Sequence, residues 1–222
     1  MFIPYQVDVP MSRWPISNFV LMGVIIGSSM VEILRLGLPW GEALVLDGWS
    51  LWGLAGHVFL HADLIHLVGN MIFLWVFGNA VCAKIGNIAY VFVFAGLAIA
   101  SGTVHNWMDG SPAIGASGAI NGIVGMYLIY YPLNDVSCFS LLGFHGVSFS
   151  VSSVWMILLW VAFDILGAVL GLGSVAYWAH LGGIAAGAGI AAVVLALGWV
   201  QMDPSERSLF DVLTGRNQVP FG

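Results

Sequence analysis

The chain has 222 residues, of which 60% are hydrophobic and only 7% charged, with ten Trp and a formal net charge of −6. So little polar surface excludes a water-soluble globule. The acidic balance, with no basic stripe to displace counterions from phosphates, excludes nucleic acid as a partner. The lipid bilayer is therefore the expected surroundings. About 20 mostly apolar residues cross its roughly 30 Å hydrocarbon core, and six such spans are predicted near 16–36, 63–84, 86–106, 115–132, 152–171 and 175–199.

Residues 1–15 read as a cytoplasmic tail without the basic start and small-residue cleavage site of a secretory signal, so the first span is expected to be retained. The connection 37–62 carries Trp40, Trp49 and Trp52, whose amphipathic rings suit the headgroup region. His57 and His61 close that connection, and His66 and Asn70 follow a few residues into span two. Span four opens with Gly115-Ala116-Ser117-Gly118, and the polar stretch 133–150 after it reads as an inner loop. Span five holds Asp164, read as a packed, partly hydrated polar residue. Span six holds His180, with Gly183 and Gly187 in the small-xxx-small spacing that lets helices approach closely. Asp203-Pro204-Ser205-Glu206 then reads as the start of a short helix reaching about Leu213. The predicted organisation is an all-α polytopic bundle over 16–200, with a second cytoplasmic tail over 201–222.

Arg13, Lys84, Arg207 and Arg216 all fall on one side of six spans, which predicts cytoplasmic termini. Arg35 dissents, but lies close enough to a span end to snorkel or to pair with Glu32. Cys82 and Cys138 map to cytoplasmic span ends, where a disulfide is not expected.

Polar groups at membrane depth mark working sites. Spans two, four and six run inward from the outer face, which brings His66, Ser117 and His180 to one layer about 5–10 Å below that face. A serine hydroxyl needs a base to become a nucleophile, and His180 can serve as one. A helix N-terminus at Ser117-Gly118 offers N–H donors to a developing negative charge, with Gly115 giving backbone room. His66 and Asn70, four apart on one helix face, can donate to the same charge. The plainer alternatives are a serine satisfied by a carbonyl one turn earlier and polar side chains that only glue helices. His57 and His61 share the four-residue spacing of metal ligands, but the Glu base and a third carboxylate are missing, so hydrogen bonding in the external loop is preferred and no metal is expected. Asn121 shares a face with Ser117 and could touch the base.

Taken together, His57-x3-His61-x4-His66-x3-Asn70, Gly115-x-Ser117-Gly118 and Ala179-His180-x2-Gly183-x3-Gly187 resemble the rhomboid intramembrane serine proteases over nearly all of the chain after its tail. The resemblance implies a six-transmembrane-helix rhomboid-like bundle with a Ser117/His180 dyad and no catalytic acid. It also implies an oxyanion site from His66, Asn70 and backbone N–H near Gly118, and no cofactor. The implied substrates are single-pass or multi-pass membrane proteins cut in or near a transmembrane helix, in a bacterial inner membrane, with the site opening to the outer face; no oligomeric state is implied. Two departures stand out. The family's Trp-Arg pair in the first external loop reads Trp52-Gly53 here, and Asn121 stands where the family usually has an aromatic ring. An amide there is expected to bond one imidazole nitrogen and hold its tautomer. Rival readings are a non-catalytic binder of membrane helices on the same bundle, and a metal-handling or transport protein using His57, His61 and His66.

Overall fold

The computed structural model describes residues 2–37, 40–142, 145–173 and 175–215; Arg216, counted in the charge argument, and the end of the predicted 201–222 tail lie outside them. In chain order the elements begin with strand β1 (Phe2–Val7), the long helix α1 (Ile16–Ile33) and the short helices α2 (Gly41–Leu44) and α3 (Leu51–Gly56). A 3-10 turn at His57–Phe59 leads to α4 (Leu64–Phe73), which runs through a π-helical turn at Leu74–Gly78 into α5 (Asn79–Ile85). Then come α6 (Asn87–Met108), α7 (Ser117–Tyr130), strands β2 (Asp135–Leu142) and β3 (His145–Ser152), and helices α8 (Ser153–Leu170), α9 (Tyr177–Ala196) and α10 (Leu209–Thr214). Among the described residues, five helical rods are long and apolar enough to cross a bilayer: 16–33, 64–85, 87–108, 153–170 and 177–196.

The predicted fourth span is different. Its helix has 14 residues, about 21 Å at 1.5 Å per residue, which is shorter than the hydrocarbon core. It does not need to meet lipid, because it is buried nearly all round, from Gly118 to Tyr130. Glycines make that burial possible. A Cβ on Gly122 would strike the Leu97 side chain of α6, and Cβ atoms on Gly183 and Gly187 of α9 would overlap the carbonyl oxygens of Gly118 and Gly122. Backbones rather than side chains therefore meet at the α7–α9 contact, the packing that small residues permit in apolar surroundings.

The π-helical turn in the second rod is tied by side-chain amides. Asn18 of α1 donates from Nδ2 to the Leu74 carbonyl (2.9 Å) and to Asn79 Oδ1 (2.8 Å), and accepts from the Tyr90 hydroxyl (2.6 Å). A widened turn leaves a carbonyl in need of a donor, and Asn18, fully buried, supplies it.

Two segments differ from the sequence reading. The stretch 133–150 is not a loop: β2 and β3 pair antiparallel, from Asp135↔Ser152 to Leu142↔His145, and β1 adds to β2 from Phe2↔Ser140 to Val7↔Val136. The alternation Gly-Val-Ser-Phe-Ser-Val-Ser is the period-two pattern of a strand, and the N-terminal tail supplies the third strand. The C-terminal helix starts later than Asp203. Ser208 caps α10 through a reciprocal box with Asp211, while Glu206 is drawn away to a buried ion pair with Lys84 and accepts from the Asp203 N–H. Cys82 and Cys138 are both buried free thiols.

Candidate active site

Ser117 is the first residue of α7, and three contacts hold the segment that leads into it. Leu46 and Ala113 exchange both backbone N–H···O bonds at 3.0 Å. The Gly115 N–H donates to the His57 carbonyl (2.9 Å), and the Ala116 N–H donates to His61 Nε2 (3.4 Å). Since Nε2 accepts, the His61 proton sits on Nδ1, which donates to Ser29 Oγ (2.8 Å), and the Ser29 hydroxyl donates to the Phe59 carbonyl (3.1 Å). His57 donates from Nδ1 to the Gly53 carbonyl (2.9 Å). The two histidines at the end of the external connection thus brace the backbone before Ser117, His61 by reaching across to α1. Burial holds both imidazoles neutral: His57 lies below its ordinary pKa, and His61 is lowered to about 4, chiefly by desolvation and then by the neighbouring His66.

Gly115 has φ +123°, open to glycine alone at little cost, and a Cβ there would lie 2.7 Å from His66 Cε1. The missing side chain is filled by the His66 ring, which stands edge-on to His61 with centroids 4.9 Å apart.

His180, one turn into α9, places Nε2 2.9 Å from Ser117 Oγ. Its Nδ1 lies 3.1 Å from Asp164 Oδ1 on α8, both side chains being mostly buried. A carboxylate cannot donate, so Nδ1 carries the proton and Nε2 is the acceptor that faces the serine hydroxyl. Two expectations are corrected here. Asp164 is paired with the imidazole rather than merely packed. Asn121 is not hydrogen-bonded to His180: its Nδ2 donates to the Ser117 carbonyl one turn back (2.9 Å), because position i+4 points the short amide along its own helix.

A cleft of about 830 Å³ opens beside these groups and is lined by His66, Asn70, Ser117, Asn121, Asp164 and His180. Asn70 shares that wall, although its amide donates back to the His66 carbonyl (3.2 Å). His105, the one histidine of α6, also lines the cleft, and no spacing to another polar group marks it in the sequence. It donates from Nε2 to the Ser111 carbonyl (2.8 Å), leaving Nδ1, like His57 Nε2, buried with no partner among the described residues. No trio of His, Cys, Asp or Glu side chains among those residues is grouped to hold a metal ion.

Gly53, where the resembling family often has arginine, lies in the N-terminal part of α3, whose cap is Ser50. A Cβ on Gly53 would come within 2.6 Å of the Val45 carbonyl oxygen and 3.3 Å of Leu46 Cα. The loop is closed by backbone apposition at Gly53, and the same Leu46 pairs with Ala113.

A hydroxyl facing an imidazole acceptor, at a helix start whose first N–H groups have no intrahelical acceptor, can add to a carbonyl and stabilise the resulting anion. Sequence comparison bears on what such a site belongs to. Rhomboid protein 1, mitochondrial, of Saccharomyces cerevisiae is 30% identical over 137 residues, 58% of this chain and 37% of that protein. The rhomboid protease GlpG of Klebsiella pneumoniae subsp. pneumoniae is 29% identical over 178 residues, 80% of this chain and 59% of its own length. That of Salmonella newport is 25% identical over 198 residues, covering 86% and 67%. The chain thus spans less than two thirds of the length of the first two relatives. The family model of the Rhomboid domain matches residues 48–197, from the outer loop through α9, and on that match this multi-span membrane protein belongs to the rhomboid family.

Proposed function

We propose that this protein is an intramembrane serine endopeptidase that cuts a peptide bond in or near a transmembrane helix of membrane-protein substrates. The observation that carries this reading is the 2.9 Å approach of His180 Nε2 to Ser117 Oγ inside an open cleft. His180 takes the hydroxyl proton as Oγ bonds to the scissile carbonyl carbon, whose oxygen becomes the oxyanion. His66 and Asn70, which line the same cleft as Ser117, are the side chains to donate to that charge, together with the N–H groups of Ser117 and Gly118 at the start of α7. Collapse expels the amine, which takes the proton from His180, and water then releases the acyl group by the same steps. The substrate helix must unwind locally, since its peptide bonds are otherwise closed to attack, which favours small helix-breaking residues near the cut.

The charge pattern of Arg13, Lys84 and Arg207 supports cytoplasmic termini, with six membrane passages if the short α7 counts as one, and a cleft facing the outer side of a bacterial inner membrane. The exposed Trp40, Trp49 and Trp52 favour an outer loop resting in the headgroup layer.

The test is cleavage of a model transmembrane substrate in liposomes by wild type, Ser117→Ala and His180→Ala, with fluorophosphonate labelling in parallel. Both activities are expected in wild type and absent from both variants. Folded wild type that neither cleaves nor labels would overturn the reading in favour of a non-catalytic binder of membrane helices.

A further inference from the structure

Resting on that reading of Ser117 and His180, we propose that Asp164 is the third member of the catalytic array: a positioning carboxylate that holds the His180 proton on Nδ1 and stabilises the imidazolium formed during each transfer. The placement is built from two adjacent antiparallel helices. Asp164 lies six residues before the end of α8, and His180 three residues after the start of α9. Between them the helices are pressed together at Gly167, where a Cβ would come within 2.4 Å of the Tyr177 ring. Gly167 follows Asp164 by three residues and Tyr177 precedes His180 by three, so one close packing contact brings the acid and the base side by side at 3.1 Å.

An acid in the middle of an apolar helix is costly to insert unless it has a partner. The side chain is about one-eighth exposed, and its oxygen meets the one imidazole nitrogen that does not face the serine. Without a carboxylate on Nδ1, the ring can carry its proton on Nε2 and become a donor toward Ser117, unable to take the hydroxyl proton. The other titratable groups around the cleft are His66 from α4, Asp63 at the cap of α4, His105 and Asp109 from the end of α6, and Tyr177 on α9, whose ring centroid is 6.4 Å from that of His180. Among the described residues, Asp164 is the acid hydrogen-bonded to the imidazole.

The experiment is the pH dependence of fluorophosphonate labelling at Ser117 in detergent-solubilised wild type, Asp164→Asn and Asp164→Glu. It is read together with ¹⁵N NMR titration of the His180 imidazole, assigned by its loss in His180→Gln. Loss of the carboxylate should redistribute the His180 proton from Nδ1 toward Nε2 in the ¹⁵N spectrum and move the acid limb of labelling. The plateau rate should fall at least about tenfold, with partial recovery in Asp164→Glu. Asp164→Asn that labels at the wild-type rate, with unmoved acid limb and unmoved His180 titration, would overturn the proposal while leaving the Ser117/His180 reading intact. Wild type that fails to label, with a His180 titration still dependent on Asp164, would instead overturn the protease reading alone.

Discussion

The α-carbon of Gly183 faces the carbonyl oxygen of Gly118 so closely that a methyl group on Gly183 would overlap it. Gly118 is the neighbour of Ser117, and Gly183 stands one turn beyond His180. The backbone contact therefore sets the distance between the Ser117 hydroxyl and the His180 imidazole, and their approach is a consequence of helix packing.

Gly183→Val is expected to force α7 and α9 apart. Overpacking of this kind costs about 1–3 kcal/mol, and here it also lengthens the Ser117–His180 contact, so fluorophosphonate labelling should drop out of proportion to the fall in thermal midpoint. Gly189→Ala on the same helix, where a Cβ meets nothing within 4 Å, should leave both unchanged.

Restoring the arginine common in the resembling family should do harm. Gly53→Arg places a Cβ against the Val45 carbonyl and must open the turn that carries Leu46 and its pairing with Ala113. Lower thermal stability and faster proteolytic nicking between 45 and 60 are the expected outcomes, with labelling reduced rather than enhanced.

Asn121→Ala should leave the pH profile of labelling unchanged and its rate within about twofold, since the amide bonds only a carbonyl that the helix already supplies with a donor. A displaced acid limb in this variant would show that Asn121 reaches His180 during turnover.

His66→Ala and Asn70→Ala should each lower the cleavage rate by about 10²–10³, the usual loss for one oxyanion donor, with little change in substrate KM. His66→Ala should also lower stability, because the ring fills the space against Gly115.

Acid should loosen the outer loop. The buried His61 titrates at about 4 in the folded protein against about 6.5 when unfolded, and His57 is shifted in the same direction. Between those values the unfolded chain binds protons that the folded one refuses, so stability is complete above about pH 6.5 and declines as the pH falls toward 4. Amide exchange at Ala116, whose N–H is held by His61, should accelerate over that window, and His61→Gln should flatten the response.

Charge scarcity, apolar run length and the spacing of the three polar islands were enough, by themselves, to indicate a helical membrane protein and to single out Ser117 and His180, because those properties are written locally along the chain. The strand alternation of 146–152 was equally local, and was obscured only by its polarity. Other features depended on neighbours far apart in sequence. That α7 is enclosed follows from glycines on α7 and α9 that let the two backbones meet and let α6 side chains close on the same helix. That Gly53 leaves no room for a side chain follows from the course of Val45 and Leu46. Most of all, the choice between Asn121 and Asp164 as the partner of His180 could not be read from spacing. Asn121 shares a helix face with Ser117, but an i+4 amide returns to its own backbone. Asp164 is sixteen residues from His180, and it becomes a neighbour only because Gly167 and Tyr177 let α8 and α9 close on each other.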